Sequence, residues 1–313
     1  MKTFGVWICA LGLATALAGC GGDSDGTPAT LAVAAQSQGL SDLGAAAAKA
    51  GLSSTLSDPT VQLTVFGPTD AAFDTLAVQL GYADGPALVD ALPASALASI
   101  ITYHVLPSRK SSTDLSAGGT QPTDYVFEGA PATLAVDASS GVALTDADLT
   151  TAHVTTADVG AANGVLHVVD KVLVPPGVLN VVQMAQANPD FTSLVGAIVS
   201  VGLQDTLSGT GPFTVFAPTN EAFAAIADTV ATLTPDQLTQ VLEYHVVAGQ
   251  VLAADIPFGT PIPTLEGQTF TIESGTPPTI VDTTETPADI VATDVRAGNG
   301  VIHVIDKVLL PAL

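Results

Sequence analysis

The chain has 313 residues, 30 acidic against 7 basic side chains, and a formal net charge of −23. A field that negative makes nucleic acid and anionic lipid surfaces poor partners. The length suits two domains of ordinary size, each large enough to fold on hydrophobic burial without cross-links.

Residues 1–20 read as a targeting segment. Lys2 gives a short basic start, and Phe4 to Ala18 is apolar but too short to span a bilayer. Leu17-Ala18-Gly19-Cys20 looks like a bacterial lipobox. The expectation is cleavage before Cys20 and a lipid thioether on its sulfur, placing the chain outside the cytoplasm at the cell envelope or cell surface; a free secreted protein cut nearby is the alternative. Cleavage would remove Lys2 and Cys9, taking the net charge from −23 to −24 and leaving no partner for an intrachain disulfide. Residues 21–30, GGDSDGTPAT, are polar and glycine-rich, and are expected to form a flexible tether. After residue 20 no apolar run reaches the ~18 residues of a membrane span. The acidic excess fits a saline or cation-rich habitat and ordinary acidic solubility equally well.

The first module, residues 31–175, opens with an alanine-rich helical stretch near Leu43–Leu56. Thr64-Val65-Phe66 predicts a short strand stopped by Pro68, and Thr69-Asp70 then offer oxygens to cap a helix. A helix leads to Tyr103-His104. Runs such as TLAVD, VALTD and AHVTTADV alternate as strands do. Asn163-Gly164 reads as a hairpin turn before the last run. That run is apolar on both faces: Val165, Val169 and Leu173 on one, Leu166, Val168, Val172 and Val174 on the other. It predicts a central strand covered on both sides. Pro175-Pro176-Gly177 is a short, stiff joint.

The second module, residues 178–313, repeats the order. Phe191, Leu194, Ile198, Val201 and Leu203 give a helical stripe. Thr234-Pro235-Asp236-Gln237 is a capping box opening the helix towards Tyr244-His245. Asn299-Gly300 precedes the last strand. These features are α+β, with helices gathered beside a sheet.

Direct comparison of the halves makes the duplication explicit. NGVLHVVDKVLVP at 163–175 and NGVIHVIDKVLLP at 299–311 share 10 of 13 residues. TVFGPTDAAF at 64–73 and TVFAPTNEAF at 214–223 share 7 of 10. Thr64 to Tyr103 is 39 residues, whereas Thr214 to Tyr244 is 30. The extra length is expected in a surface loop near Gly81–Pro86.

These three ordered motifs resemble the two signature boxes and the Tyr-His motif of the fasciclin domain, also called FAS1 or beta-Ig-H3. The resemblance implies two tandem domains, each a β-sandwich or wedge with a helical layer. It also implies an adhesive role. In animal members Tyr-His with flanking aliphatic residues resembles an integrin-binding element, matched here by Tyr103, His104, Val105 and Leu106 and by Tyr244, His245, Val246 and Val247; the other reading is structural, with Tyr and His packed where a helix enters the sheet.

Read for chemistry, the motifs are plain. No G-x-S-x-G, P-loop, dinucleotide or HExxH pattern occurs, so no catalytic residue, metal or cofactor is expected. Asp23-Ser24-Asp25-Gly26 lacks the acid spacing of a calcium loop. His104, His245, His167 and His303 are expected to be buried, neutral and hydrogen-bonded. Asp170-Lys171 and Asp306-Lys307, if in the strand, would face opposite sides. Asn163, Gly164, His167 and Asp170 with Asn299, Gly300, His303 and Asp306 then form a structural repeat. The leading reading is a lipid-anchored, non-catalytic surface protein in adhesion or matrix contact, meeting a protein, a glycan or a second copy of itself. A small-molecule or glycan-binding module and an uncharacterised hydrolase are the alternatives.

Overall fold

A computed structural model describes residues 29–284 and 286–313. Cys20, the targeting segment and residues 21–28 lie outside the described residues. Ala29 and Thr30, expected in the tether, already belong to the fold. The Ala29 carbonyl accepts from the Ala162 N–H at 2.8 Å, and Thr30 precedes the first helix, Leu31–Ser37.

Each module has one seven-stranded sheet. The first comprises β1 (Leu63–Pro68), β2 (Val105–Leu106), β3 (Gly119–Phe127), β4 (Ala130–Asp137), β5 (Ala143–Thr145), β6 (Thr151–Ala161) and β7 (Gly164–Val169), in the order β2-β1-β7-β6-β5-β4-β3. The second comprises β8 (Phe213–Pro218), β9 (Val246–Ala248), β10 (Pro261–Pro263), β11 (Thr269–Glu273), β12 (Thr279–Val281), β13 (Ala288–Ala297) and β14 (Gly300–Ile305), in the same spatial order. At the centre of each, β1 runs parallel to β7 and β8 to β14, while every other pairing is antiparallel. All six residues of β7 and of β14 are buried, as their two-faced apolar pattern requires.

The two faces of the central strands serve two cores. Leu166, Val168, Val172 and Val174 pack with the helices. Val169 and Leu173 join Phe66, Leu134, Val136 and Leu144, which come from β1, β4 and β5. Strands four places apart in a sheet can share a cluster only if the sheet curls over, and this makes the wedge. The helices form one layer over the other face. The apolar cluster under that layer is continuous through both modules, running from Leu31 to Val308.

The joint between modules is well packed. The Gly177 N–H donates to the Arg296 carbonyl at 2.9 Å, and the Tyr125 hydroxyl to the Pro176 carbonyl at 3.1 Å. The Arg296 guanidinium lies 5.4 Å over the Phe127 ring and pairs with Glu128 at 2.5 Å. Asn188 Nδ2 of the second module donates to the Asp148 carbonyl of the first at 2.8 Å.

Asn163-Gly164 does not itself form the hairpin turn. Gly164 already pairs with Ala161, so the two-residue loop is Ala162-Asn163, one position earlier. Likewise Gly300 pairs with Ala297, and the loop is Gly298-Asn299. Glycine is needed because the partner strand enters here. A Cβ on Gly164 would lie 2.0 Å from the Leu63 carbonyl oxygen, and one on Gly300 would lie 2.2 Å from that of Phe213. Gly164→Ala and Gly300→Ala should each lower stability by about 2–3 kcal/mol, read from the denaturant midpoint. Gly160→Ala, whose Cβ would meet nothing within 4 Å, is the matched control and should stay within about 0.5 kcal/mol.

Candidate functional site

The duplicated polar residues converge around the central parallel pair. Asn163 is wholly buried. Its Oδ1 accepts from the Leu31 N–H at 2.8 Å, satisfying the free end of the first helix, and its Nδ2 donates to the Leu56 carbonyl at 3.0 Å. Asn299 does the same in the second module, accepting from Val181 at 2.9 Å and donating to Leu207 and Gly209.

Tyr103 ends the Ala94–Tyr103 helix, and His104 caps it. His104 Nε2 accepts from the Leu173 N–H at 2.9 Å, so the proton sits on Nδ1 and points to the Ile100 carbonyl at 2.7 Å. Burial lowers its pKa to about 4. His245 repeats this between Leu309 and Val241, and burial lowers its pKa likewise to about 4. The Tyr103 hydroxyl donates to the Thr133 carbonyl at 3.0 Å and that of Tyr244 to Thr269 at 2.9 Å. Burial pushes the Tyr244 phenol up to about 12 and the Tyr103 phenol upward too.

These positions favour a structural role for Tyr-His over an adhesive one. Tyr103, His104 and Tyr244 are 0% exposed and His245 is 1% exposed. No partner can touch them without opening the core. The motif ties a helix end to the segment after the central strand, and the amphipathic tyrosine reaches on to the curled sheet.

His167 and His303 use the opposite tautomer. His167 Nδ1 accepts from the Asp158 N–H at 3.2 Å, and Nε2 meets the Lys110 carbonyl at 2.9 Å. His303 accepts from Asp294 and meets the Val251 carbonyl at 2.9 Å, and burial lowers its pKa. Asp158 and Asp294 have φ of 59° and 61°, and each lies in the irregular stretch of β6 or β13 that turns an N–H inward. The rings pack against Phe66 at 5.7 Å and Phe216 at 5.4 Å.

Asp170 and Asp306 lie just past the strand ends, not within the strands as expected. The ladder finishes there, and their carboxylates replace the missing backbone acceptor. Asp170 Oδ1 accepts from His153 N–H and Asp306 Oδ1 from Asp289 N–H, each at 2.7 Å. The following lysines differ. Lys307 pairs with Asp282 at 3.2 Å and also meets Thr284 and the Thr286 carbonyl.

The first-module counterpart of Asp282 is Asp146, which sequence reasoning did not single out. Asp146 Oδ1 accepts from the N–H groups of Asp148 and Thr150 and from the Thr150 hydroxyl, and Oδ2 accepts from Val174 N–H. Asp148 stands where the second module has Thr284. It is wholly buried, and among the described residues neither carboxylate oxygen has a hydrogen-bond partner. Burial, with the neighbouring Asp146, holds its pKa well above the usual carboxylate range. The matched spacing Asp146…Lys171 and Asp282…Lys307 was the available sequence signal.

A family profile described as the Fasciclin domain matches residues 38–175 and 189–311. The chain belongs to the fasciclin family. Protein sll1483 of Synechocystis is 42% identical over 142 residues, which are 43% of this chain and 75% of that protein. Transforming growth factor-beta-induced protein ig-h3 of Sus scrofa is 37% identical over 158 residues, half of this chain but only 22% of the relative. A solved FAS1 domain pair from the insect cell adhesion molecule fasciclin I aligns at 18% identity and a TM-score of 0.44, covering 87% of this chain and 96% of that one. Within each fasciclin domain the recurring polar residues are thus satisfied inside the fold. Among the described residues no group of three or more His, Cys, Asp or Glu is arranged to hold a metal ion.

The buried groups make stability depend on pH in a defined sense. His104 and His245 stay neutral in the fold down to about pH 4, whereas the unfolded chain protonates them near 6.5. Stability should therefore fall as pH drops from about 6.5 to 4, by at most about 3 kcal/mol per histidine. Asp148 acts oppositely: its raised folded pKa gives a contribution present at low pH and lost as pH rises through that value. Denaturation followed from pH 7 to 4 should show the histidine loss. Asp148→Asn should gain about 1–3 kcal/mol at pH 7, the gain shrinking as pH falls.

Proposed function

We propose that this two-domain fasciclin protein is a non-catalytic contact protein, held outside the cytoplasm by a lipid on Cys20 and acting in adhesion or matrix contact. One observation carries the reading. In both domains the recurring histidines and tyrosines are buried, the recurring asparagines are buried or half-buried, and all are already hydrogen-bonded to their own fold. Function is left to the outer surface. Membership in a family associated with adhesion supports the same conclusion, and contact then involves exposed residues rather than Tyr103 or Tyr244.

A cleft of about 430 Å³ where the domains meet, lined by Asp170, Lys171, Asn188 and Asp190 among others, favours a second reading as a small-molecule or glycan binder. Its size suits such ligands. Its mixed charge and lack of an aromatic wall give it less grip than an apolar pocket.

The mature charge of −24 shapes the test. Beads coated with the chain should repel one another at low salt and clump as sodium chloride screens them, with calcium acting at lower concentration. Binding to envelope material that weakens steadily with salt would assign the contact to a basic partner. No association with itself or with envelope material in any of these conditions would overturn the contact reading. Mass spectrometry of the mature N-terminus should find acyl chains on Cys20; an unmodified terminus elsewhere removes the anchor.

A further inference from the structure

The two fasciclin domains differ most between the strand-to-helix box and Tyr-His. In the first domain that stretch holds the Gly85–Ala91 helix, which lies on the Ser41–Lys49 and Asp70–Gln79 helices. Three contacts seat it. Asp74 Oδ1 accepts from the Gly85 N–H at 2.8 Å. Lys49 Nζ donates to the Val89 and Asp90 carbonyls at 3.0 and 2.7 Å, at the end where helix carbonyls are free. The missing Cβ of Gly85 leaves room for Asp42, whose Oδ2 would lie 2.2 Å from it.

The second domain is nine residues shorter here and has no such helix; only the four-residue Ala227–Val230 turn remains. Its seat has changed to match. Aligned on the shared helices, Ser193 stands for Asp42, Ser200 for Lys49 and Ala224 for Asp74. All three anchors are gone together. What they leave is an open groove of about 500 Å³ lined by Gly196, Ala197, Phe223, Ala227, Val230 and Leu238 among others. Burial records the uncovering. Ala46, Ala77 and Leu97 are 0–1% exposed in the first domain, whereas their counterparts Ala197 and Leu238 are half-buried and Ala227 is exposed.

We propose that this groove is a docking site for a cationic amphipathic helix of a partner protein. The sister domain shows that the seat fits a helix, with Leu88 and Val89 turned into it. The charge around it selects the class. Residues 172–295 contain no lysine or arginine, while the exposed Glu221 and Asp228 directly follow the lining residues Asn220 and Ala227, and the exposed Asp236 lies two residues before Leu238. An apolar floor on elements that carry exposed acids and no base is complementary to an apolar helix face edged by Lys or Arg. A second copy of this chain is a poor occupant. It is strongly acidic, its own Gly85–Ala91 helix is seated, and Lys49, Arg109, Arg296 and Lys307 are engaged internally. The inference deepens the contact reading and rests on it only for the partner's being outside the cell.

The test uses the full chain and a fluorescent helical peptide carrying Leu, Val and Leu at the spacing of Leu88, Val89 and Leu92, with lysines on its other faces. Anisotropy should show saturable binding that weakens at least roughly tenfold between about 50 and about 500 mM salt. Gly196→Leu and Ala227→Leu, at exposed helix positions, fill the groove and should each remove binding while circular dichroism stays unchanged. Glu221→Lys with Asp228→Lys should weaken binding and flatten its salt dependence. Binding that survives the leucine variants would be adsorption to an acidic surface and would overturn the proposal. Equal binding of a glutamate-faced peptide would overturn the cationic class. Self-association abolished by Gly196→Leu would make a second copy the occupant and overturn it too. If the peptide fails to bind while coated beads still associate, the groove assignment fails and the contact reading stands.

Discussion

Everything in this fold is arranged around one constraint: a parallel pair of strands buried along almost their whole length must enter the core beside a hairpin. β1 and β7, and β8 and β14, have no solvent face on which to leave a polar group unsatisfied. The loop before β7 abuts the start of β1, so glycine is required at 164 and 300. The asparagine before it then becomes a buried connector, tying the free N–H of one helix and the last carbonyls of another to the sheet. His167 fills a gap in the irregular neighbouring strand, and Asp170 finishes the ladder where the strand stops. Each polar residue answers a particular unpaired backbone group, and an unpaired one would cost about 1–3 kcal/mol.

That accounts for where the two domains agree. Ten of thirteen residues match in the last box because almost every position there is fixed by packing or by a hydrogen bond. Divergence falls where no such demand exists. Thr284 with its lysine completes a polar cluster in the second domain, whereas the carboxylate of Asp148 at the same place in the first has no partner among the described residues. Asn188, Tyr125 and Arg296 make contacts that exist only because two domains meet. They belong to the pair and have no repeat partner to reveal them.

The repeat, the α+β class and the central strand were legible because identity and two-faced hydrophobicity are local signals. The parallel pairing was not, since Thr64 and Val165 are about a hundred residues apart and nothing in either segment encodes its neighbour. Nor was the curl of the sheet, which depends on β1 and β4 sharing one cluster. Tyr103-His104 left two readings open, structural and adhesive, for an instructive reason. An aromatic residue beside a histidine looks the same in sequence at a surface as at a helix end in the core, and only the acceptors at Thr133 and Ile100 separate the two. The Asn-Gly dipeptide gave the right hairpin one residue out, because Gly164 is needed for the approach of β1 rather than for the turn itself.

Duplication allows the two copies to be used unequally. A single domain that lost its Gly85–Ala91 helix would uncover part of its helical layer with nothing to offset it. Here the apolar cluster under that layer is continuous through both domains, and the joint is held by Arg296, Tyr125 and Asn188. The first domain keeps its cover and its anchors. The second has neither, and its support extends across the joint to its neighbour. Asp42, Lys49 and Asp74 are all replaced at their second-domain counterparts, in step with the helix they seat. Stranded anchors would leave a buried acid or an idle lysine, whereas serine and alanine leave a smooth, uncharged seat. Stability is concentrated in the parts that are the same, and recognition in the part that differs.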